Sequence, residues 1–229
     1  MVKRQRVFFS EAAYALGIAF LAFGTALMER SDFGVSMVVA PAYLLHLKLS
    51  QTWPFFTFGM AEYSLQALLL LVLCIALRRF RLSYLFAFVT AVVYGLTLDG
   101  CIALAALLPG GGIASRLGFY ASGLLFCAAG VSLLFHTYIP PEVYELFVKE
   151  TAAATGTEIH RCKTVYDCCS CAAGIAMSFL FFGFWHFEGV KAGTIVCAIV
   201  NGWLIGRFSL LLNRFDFRDA LPLRRWFHS

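Results

Sequence analysis

Residues 82–108 read LSYLFAFVTAVVYGLTLDGCIALAALL, an apolar run whose single charge is Asp99. About 20 such residues carry a helix across a bilayer, so the stretch reads as a transmembrane span. An ionised carboxylate near a bilayer centre costs roughly 2.5 kcal/mol or more. A chain that keeps one there marks it as a candidate for binding or proton transfer.

The rest of the chain has the same character. Its 229 residues are 61% hydrophobic, with 24 Phe and a mean hydropathy of +0.80; soluble domains are about 45–50% apolar. Six spans are expected: Phe8–Met28, Phe56–Leu77, Tyr84–Leu108, Leu117–Tyr138, Cys168–Phe187 and Ala192–Leu212. The first follows MVKRQR but is too long for a signal peptide, and Glu29-Arg30 follows it without a small-residue cleavage site. The whole chain is therefore expected to be one all-α polytopic membrane domain whose partner is the lipid bilayer.

Basic residues set the orientation. Lys3, Arg4 and Arg6 precede the first span, and Arg78, Arg79 and Arg81 follow the second. Lys149, Arg161 and Lys163 follow the fourth, and Arg207, Arg214, Arg218, Arg224 and Arg225 lie at the C-terminal end. The other loops hold only Arg30, Lys48, Arg116 and Lys191. Positive loops stay in the cytoplasm, so both termini are expected there, with the chain in the cell membrane. The net charge of +5 is a topology signal, and no nucleic-acid partner is expected.

Two glycine patterns recur. Gly17-IAFLAF-Gly24 matches Gly123-LLFCAA-Gly130, displaced by 106 residues, and Ala91-VVY-Gly95-LTL-Asp99 matches Ala198-IVN-Gly202-WLI-Gly206, displaced by 107. Two matches at nearly one displacement point to a three-plus-three duplication, residues 8–108 against 117–212, followed by a basic tail, 213–229. Three spans per half invert the second half, an architecture of secondary transporters whose site lies where the halves meet. The duplication pairs segment 32–50 with segment 140–155, each too long for a turn. Both are expected to be short interfacial or re-entrant helices. Pro140-Pro141-Glu142 suits the start of the second, since proline and a carboxylate both favour a first helical turn.

SDFGVSMVVAP after span one, TFGMAEYS opening span two, YGLTLDG in span three, PPEVYELFVKE after span four, KTVYD opening span five and GVKAGTIVCAIVNGWLIG in span six together resemble the YczE/YitT-like bacterial integral membrane proteins. The resemblance covers about residues 16–212. It implies a multi-span protein of this length in a bacterial inner membrane and contributes little on activity. Met37, where proline is expected after GVS, and the CCSC run depart from the pattern.

Among polar residues, Asp99 is the first candidate for substrate or ion binding; Tyr94, Thr97 or Asn201 are its expected partners. Asn201, in the apolar run of span six, is expected on the facing helix, and Glu62 and Tyr94 complete the binding set. Asp167 with Lys163 one turn earlier is a candidate ion-pair gate at the cytoplasmic mouth. Glu142, Gly34 and Pro140 are the remaining gate candidates, and Thr194 is expected to cap the last helix. His136 and His186 sit among interfacial aromatics. Of the eight cysteines, Cys74, Cys101, Cys127 and Cys197 lie in spans as small apolar residues. His160, Cys162, Cys168, Cys169 and Cys171 lack the paired spacing of a zinc site, so no metal or cofactor is expected.

No nucleotide-binding, hydrolase or lipidation motif is present, and the protein is not expected to be an enzyme. The expected function is movement of a small polar solute or ion through a site between the halves. The alternatives are a substrate-binding membrane subunit of an ATP-driven importer, or a membrane protein without transport activity. A homo-oligomer is compatible with the sequence.

Overall fold

The computed structural model describes residues 6–157, 159–183 and 190–218. A short strand β1 (Arg6–Phe9) leads into α1 (Ser10–Ser31). Helices α2 (Ala40–Leu49), α3 (Phe58–Leu77), α4 (Leu82–Ala106), α5 (Gly112–Phe135), α6 (Val143–Thr155), α7 (Ile159–Phe182) and α8 (Ala192–Leu212) follow, and strand β2 (Phe215–Arg218) comes last. All but α2 and α6 are long and apolar enough to cross a membrane. The short pair falls in the two segments where short helices are expected.

Local chemistry sets several of these boundaries. Thr57 Oγ1 caps α3 by accepting the Met60 N–H at 3.1 Å. Helix α6 starts directly after the two prolines, with Glu142 as its N-cap residue. Helix α7 starts at Ile159, well before the expected Cys168. Hydropathy places the span boundary after HRCKTVYD, but the helix continues through these residues, where Lys163 pairs with Glu145 of α6 and with Asp167 one turn on.

Polarity is distributed as a bilayer requires. Leu68, Leu71, Ile75, Leu96, Ile199 and Trp203 are each more than half exposed, whereas Glu62, Gln66, Thr25 and Thr90 are buried. Apolar side chains face outward and hydrogen-bonding groups face one another.

Helices α1 and α5 run antiparallel at the centre, and glycine lets them touch. Gly17 lies against Gly130 and Leu134, and Gly24 against Gly123 and Cys127; a methyl group on Gly24 would stand 2.6 Å from the Cys127 amide nitrogen. Close backbone approach through small residues drives association in lipid, where burial of apolar surface drives little.

Around this pair, α4 packs on α1 and α8 packs on α5. Helix α2 bridges α3 and α7, and α6 bridges the same two. The packing differs between the N-terminal and C-terminal helices in one respect. Helix α3 packs along α4, but among the described residues no comparable packing joins α7 to α8. Helix α8 is accordingly the more exposed, 6% buried over its most apolar stretch against 39% for α4.

Strands β1 and β2 pair in parallel, Arg6 opposite Phe215 through Phe9 opposite Arg218, an element absent from the expected layout. The pairing puts the two ends of the helical bundle on one side.

Candidate functional site

A cavity of about 470 Å³ lies between α5, α6, α7 and α8, with α1 and α4 behind it. Small-molecule sites occupy about 300–1,000 Å³. Leu21, Val39, Val131, Leu134 and Ile205 give it an apolar wall, and Thr25, Tyr94, Glu142, Lys163, Asp167 and Asn201 a polar one. The segments leading into both short helices reach it, through Ser36–Val39 before α2 and through Pro141 and Glu142 before α6.

Behind the Glu142 part of this wall, α3 is tied to α6. Glu62 and Gln66 are one turn apart on α3 and therefore share a face. Gln66 Nε2 donates to Glu142 Oε2 at 3.1 Å, and Gln66 Oε1 accepts the Val143 N–H at 3.0 Å, satisfying a donor that the start of α6 leaves open. Tyr144 donates to Glu62 Oε2 at 2.9 Å. Both carboxyl groups are enclosed, Glu62 at 0% and Glu142 at 6% exposure. Each keeps one oxygen, Oε1, without a hydrogen-bond partner.

Burial pushes the Glu142 carboxyl up to about 8; the Gln66 hydrogen bond opposes this, Glu145 adds to it and Lys163 opposes it. Burial also raises the Tyr144 phenol well above its ordinary value, with the nearby Glu62 adding to the rise. Tyr144 thus stays neutral and remains a donor.

Lys163 also lines the cavity. Its ammonium lies 2.8 Å from Glu145 Oε1 and 3.3 Å from Asp167 Oδ1, so one cation is shared by two carboxylates from α6 and α7. Toward the centre, the Tyr94 hydroxyl pairs with Thr25 Oγ1 at 3.0 Å. Asn201, midway along α8, presents a buried Oδ1 with no partner.

Glu142, Tyr94, Lys163, Asp167 and Asn201 therefore line one cavity, and Glu62 stands directly behind it. Asp99 lies elsewhere. It accepts from Thr57 Oγ1 at 2.6 Å and from the Gly59 N–H at 2.8 Å, fastening α4 to the N-terminal end of α3. Its expected partners are engaged otherwise: Tyr94 turns to Thr25, Thr97 bonds the Val93 carbonyl, and Asn201 faces the cavity. The contact is possible because Gly59 and Gly95 bring the two backbones together; a methyl group on Gly59 would meet the Gly95 carbonyl and stand 2.7 Å from Asp99 Oδ2.

Gly34 and Pro140 are outside the lining as well. Gly34 has φ +110, a backbone shape that glycine tolerates, and sits against Thr194 and Lys191. Thr194 holds this loop by donating to the Val35 carbonyl at 2.8 Å while accepting from the Lys191 N–H at 3.3 Å, the expected cap. The Pro140 carbonyl accepts from Thr90 at 3.1 Å. Of the other groups, His136 bonds the Ser132 carbonyl and Asn213, Cys168 and Cys169 are exposed thiols, and His186 and the His160 side chain lie outside the described residues.

Sequence reasoning passed over Gln66, Tyr144 and Glu145. Gln66 carried a signal, being an amide inside an apolar span; Tyr144 carried none.

A family model described as a family of unknown function (DUF6198) matches residues 8–210. No curated protein and no solved structure matches the chain. None of these comparisons supports the YczE/YitT likeness of its motifs.

Proposed function

The chain belongs to this family of unknown function, and we propose from its geometry that it is a multi-pass transporter, with the solute site in the cavity between α5, α6, α7 and α8. The observation that carries this reading is the pair of unpartnered buried acceptors on the cavity wall, Glu142 Oε1 and Asn201 Oδ1. A buried acceptor without a donor costs about 1–3 kcal/mol, and a polar solute removes that cost by binding.

An inverted repeat places such a site at the junction of its halves, and the packing supports one. Under the displacement of 106 residues Gly17 corresponds to Gly123 and Gly24 to Gly130. The contact of Gly17 with Gly130 then corresponds to that of Gly123 with Gly24, so the central crossing maps onto itself. The packing of α4 on α1 likewise corresponds to that of α8 on α5, and the two bridging short helices exchange places. In this reading the site residues are Glu142, Asn201, Tyr94, Lys163 and Asp167 with Glu62 behind them, while Asp99 clasps the first half. The protein sits in the cell membrane with both termini cytoplasmic, following the basic loops.

The test is a thermal-shift panel of amino acids, amines, vitamins and ions on the detergent-purified protein, followed by counterflow of each stabilising compound in proteoliposomes. A solute at about a hundred times its dissociation constant stabilises by roughly 2.7 kcal/mol. Counterflow abolished by Gly202→Phe, which fills the cavity, is the expected result. Stabilisation without counterflow, together with copurification of a soluble ATPase, would favour the importer-subunit alternative.

A further inference from the structure

The atoms that the fold leaves unpaired have a common chemistry. Among the described residues, the buried side-chain atoms without a hydrogen-bond partner are Glu62 Oε1, Glu142 Oε1, Asp167 Oδ1 and Asn201 Oδ1. All four are acceptor oxygens, and the last three belong to residues that line the cavity. Asp167 Oδ1 has the Lys163 ammonium 3.3 Å away; the other three have no cation at that distance.

Four donors around them are already engaged. Lys163 is shared by Glu145 and Asp167, the Tyr144 hydroxyl donates to Glu62, Gln66 Nε2 donates to Glu142, and Tyr94 pairs with Thr25. Four carboxyl groups, Glu62, Glu142, Glu145 and Asp167, stand against the single ammonium of Lys163. An anion entering here meets four carboxyl groups and one ammonium that is already shared. A neutral hydroxyl satisfies one acceptor. A group carrying several N–H donors and a positive charge satisfies Glu142 from α6 and Asn201 from α8 together and compensates the charge of the wall.

Much of the remaining wall is apolar. Leu21, Val131, Leu134 and Ile205 suit a hydrocarbon body. Building on the transport reading, we propose that the occupant is a small organic cation, a primary ammonium or guanidinium head on an apolar body, held by Glu142 and Asn201.

The test uses three probes of one shape: 2-phenylethylammonium, the neutral 2-phenylethanol and the anionic 3-phenylpropanoate. Binding is measured by calorimetry on the full-length protein in detergent at about pH 9, where Glu142 is ionised. The ammonium is expected to bind at least tenfold more tightly than either analogue, and Glu142→Gln and Asn201→Leu are each expected to weaken it at least tenfold. The N,N,N-trimethyl analogue, which keeps the charge and loses the N–H donors, is expected to bind more weakly than the primary amine. Because Glu142→Gln alters the start of α6, Asn201→Leu on the exposed α8 provides an independent variant.

Tighter binding of the carboxylate or the alcohol, no binding of the ammonium, or unchanged affinity in a folded Asn201→Leu protein would overturn the proposal. Counterflow separates it from transport. An amine that binds through Glu142 and Asn201 but does not exchange across the bilayer leaves the cation site standing and removes transport. Counterflow of an anionic solute that competes for the cavity removes the cation site and leaves transport.

Discussion

Replacing Asp99 by alanine removes two hydrogen bonds to a carboxylate, one from the Thr57 hydroxyl at 2.6 Å and one from the Gly59 N–H at 2.8 Å. Bonds to charged groups contribute about 1.5–3 kcal/mol each, and a carboxylate at a helix N-terminus adds about 0.3–1 kcal/mol. The two bonds share one acceptor group, so their losses do not add fully. A loss of about 3 kcal/mol is the working figure. At about 2–4 °C per kcal/mol for a chain of this length, the unfolding temperature of Asp99→Ala should fall by roughly 6–12 °C. Asp99→Asn keeps one acceptor oxygen and should fall about half as far. The assay is thermal unfolding in detergent, monitored beside binding of 2-phenylethylammonium. If Asp99 is a clasp, stability falls and the affinity of the protein that remains folded is unchanged. An Asp99→Ala protein that melts with the wild type but has lost the amine would refute the clasp and make Asp99 a ligand.

Four further outcomes are expected. Gly24→Ala overpacks the α1–α5 crossing, where a methyl meets the Cys127 amide nitrogen at 2.6 Å, and should cost about 1–3 kcal/mol in thermal unfolding; Gly118→Ala, with open space around it, should cost nothing measurable. Glu142, at about 8 against an ordinary 4.5, is neutral in the folded protein at low pH; the stability this lends is complete below about pH 4.5 and is lost as pH rises through about 8, so Glu142→Gln should flatten the decline of melting temperature between pH 5 and 9. The same proton competes with a bound cation, so amine affinity should be about 100-fold weaker at pH 6 than well above pH 8, with Glu62, Gln66, Tyr144, Glu145, Lys163, Tyr94 and Tyr14 as the surrounding groups; affinity independent of pH would exclude Glu142 as its counter-ion. Finally, fluorescent reporters fused at the N-terminus and at the C-terminus should report the same side of the membrane, as the β1–β2 pairing requires.

The six long helices were legible because their signal is composition over about 20 residues, which no packing detail alters. The glycines of α1 and α5 were legible for a related reason, since glycine at a close crossing is required by backbone distance. The site was legible only in part. Asn201, Tyr94, Glu142, Lys163 and Asp167 were singled out, but as separate binding and gate residues; their meeting in one cavity depends on α6 folding back against α3, which no local pattern encodes. Asp99 was singled out on its cost in an apolar run, and that cost is offset by Thr57 and Gly59, more than 30 residues away in sequence. The β1–β2 pair joins the two ends of the helical bundle and was invisible to any local reading.

In the duplicated transporter proposed above, the two halves of the bundle are one three-helix design held in different conformations. In the first, Asp99 fastens α4 to α3; in the second, Gly206 stands at the corresponding position with no side chain to reach α7, and it lines the cavity instead. A duplicated chain carries a second arrangement implicitly, the one in which the halves have exchanged conformations. There α7 would close against α8, and α3 would part from α4, uncovering Gly95 as Gly202 is uncovered now. The Asp99 carboxylate would then be a latch, released and remade in each cycle, and its strength would set the balance between inward-facing and outward-facing forms. A substitution there would alter how often the cavity changes sides without touching what the cavity holds.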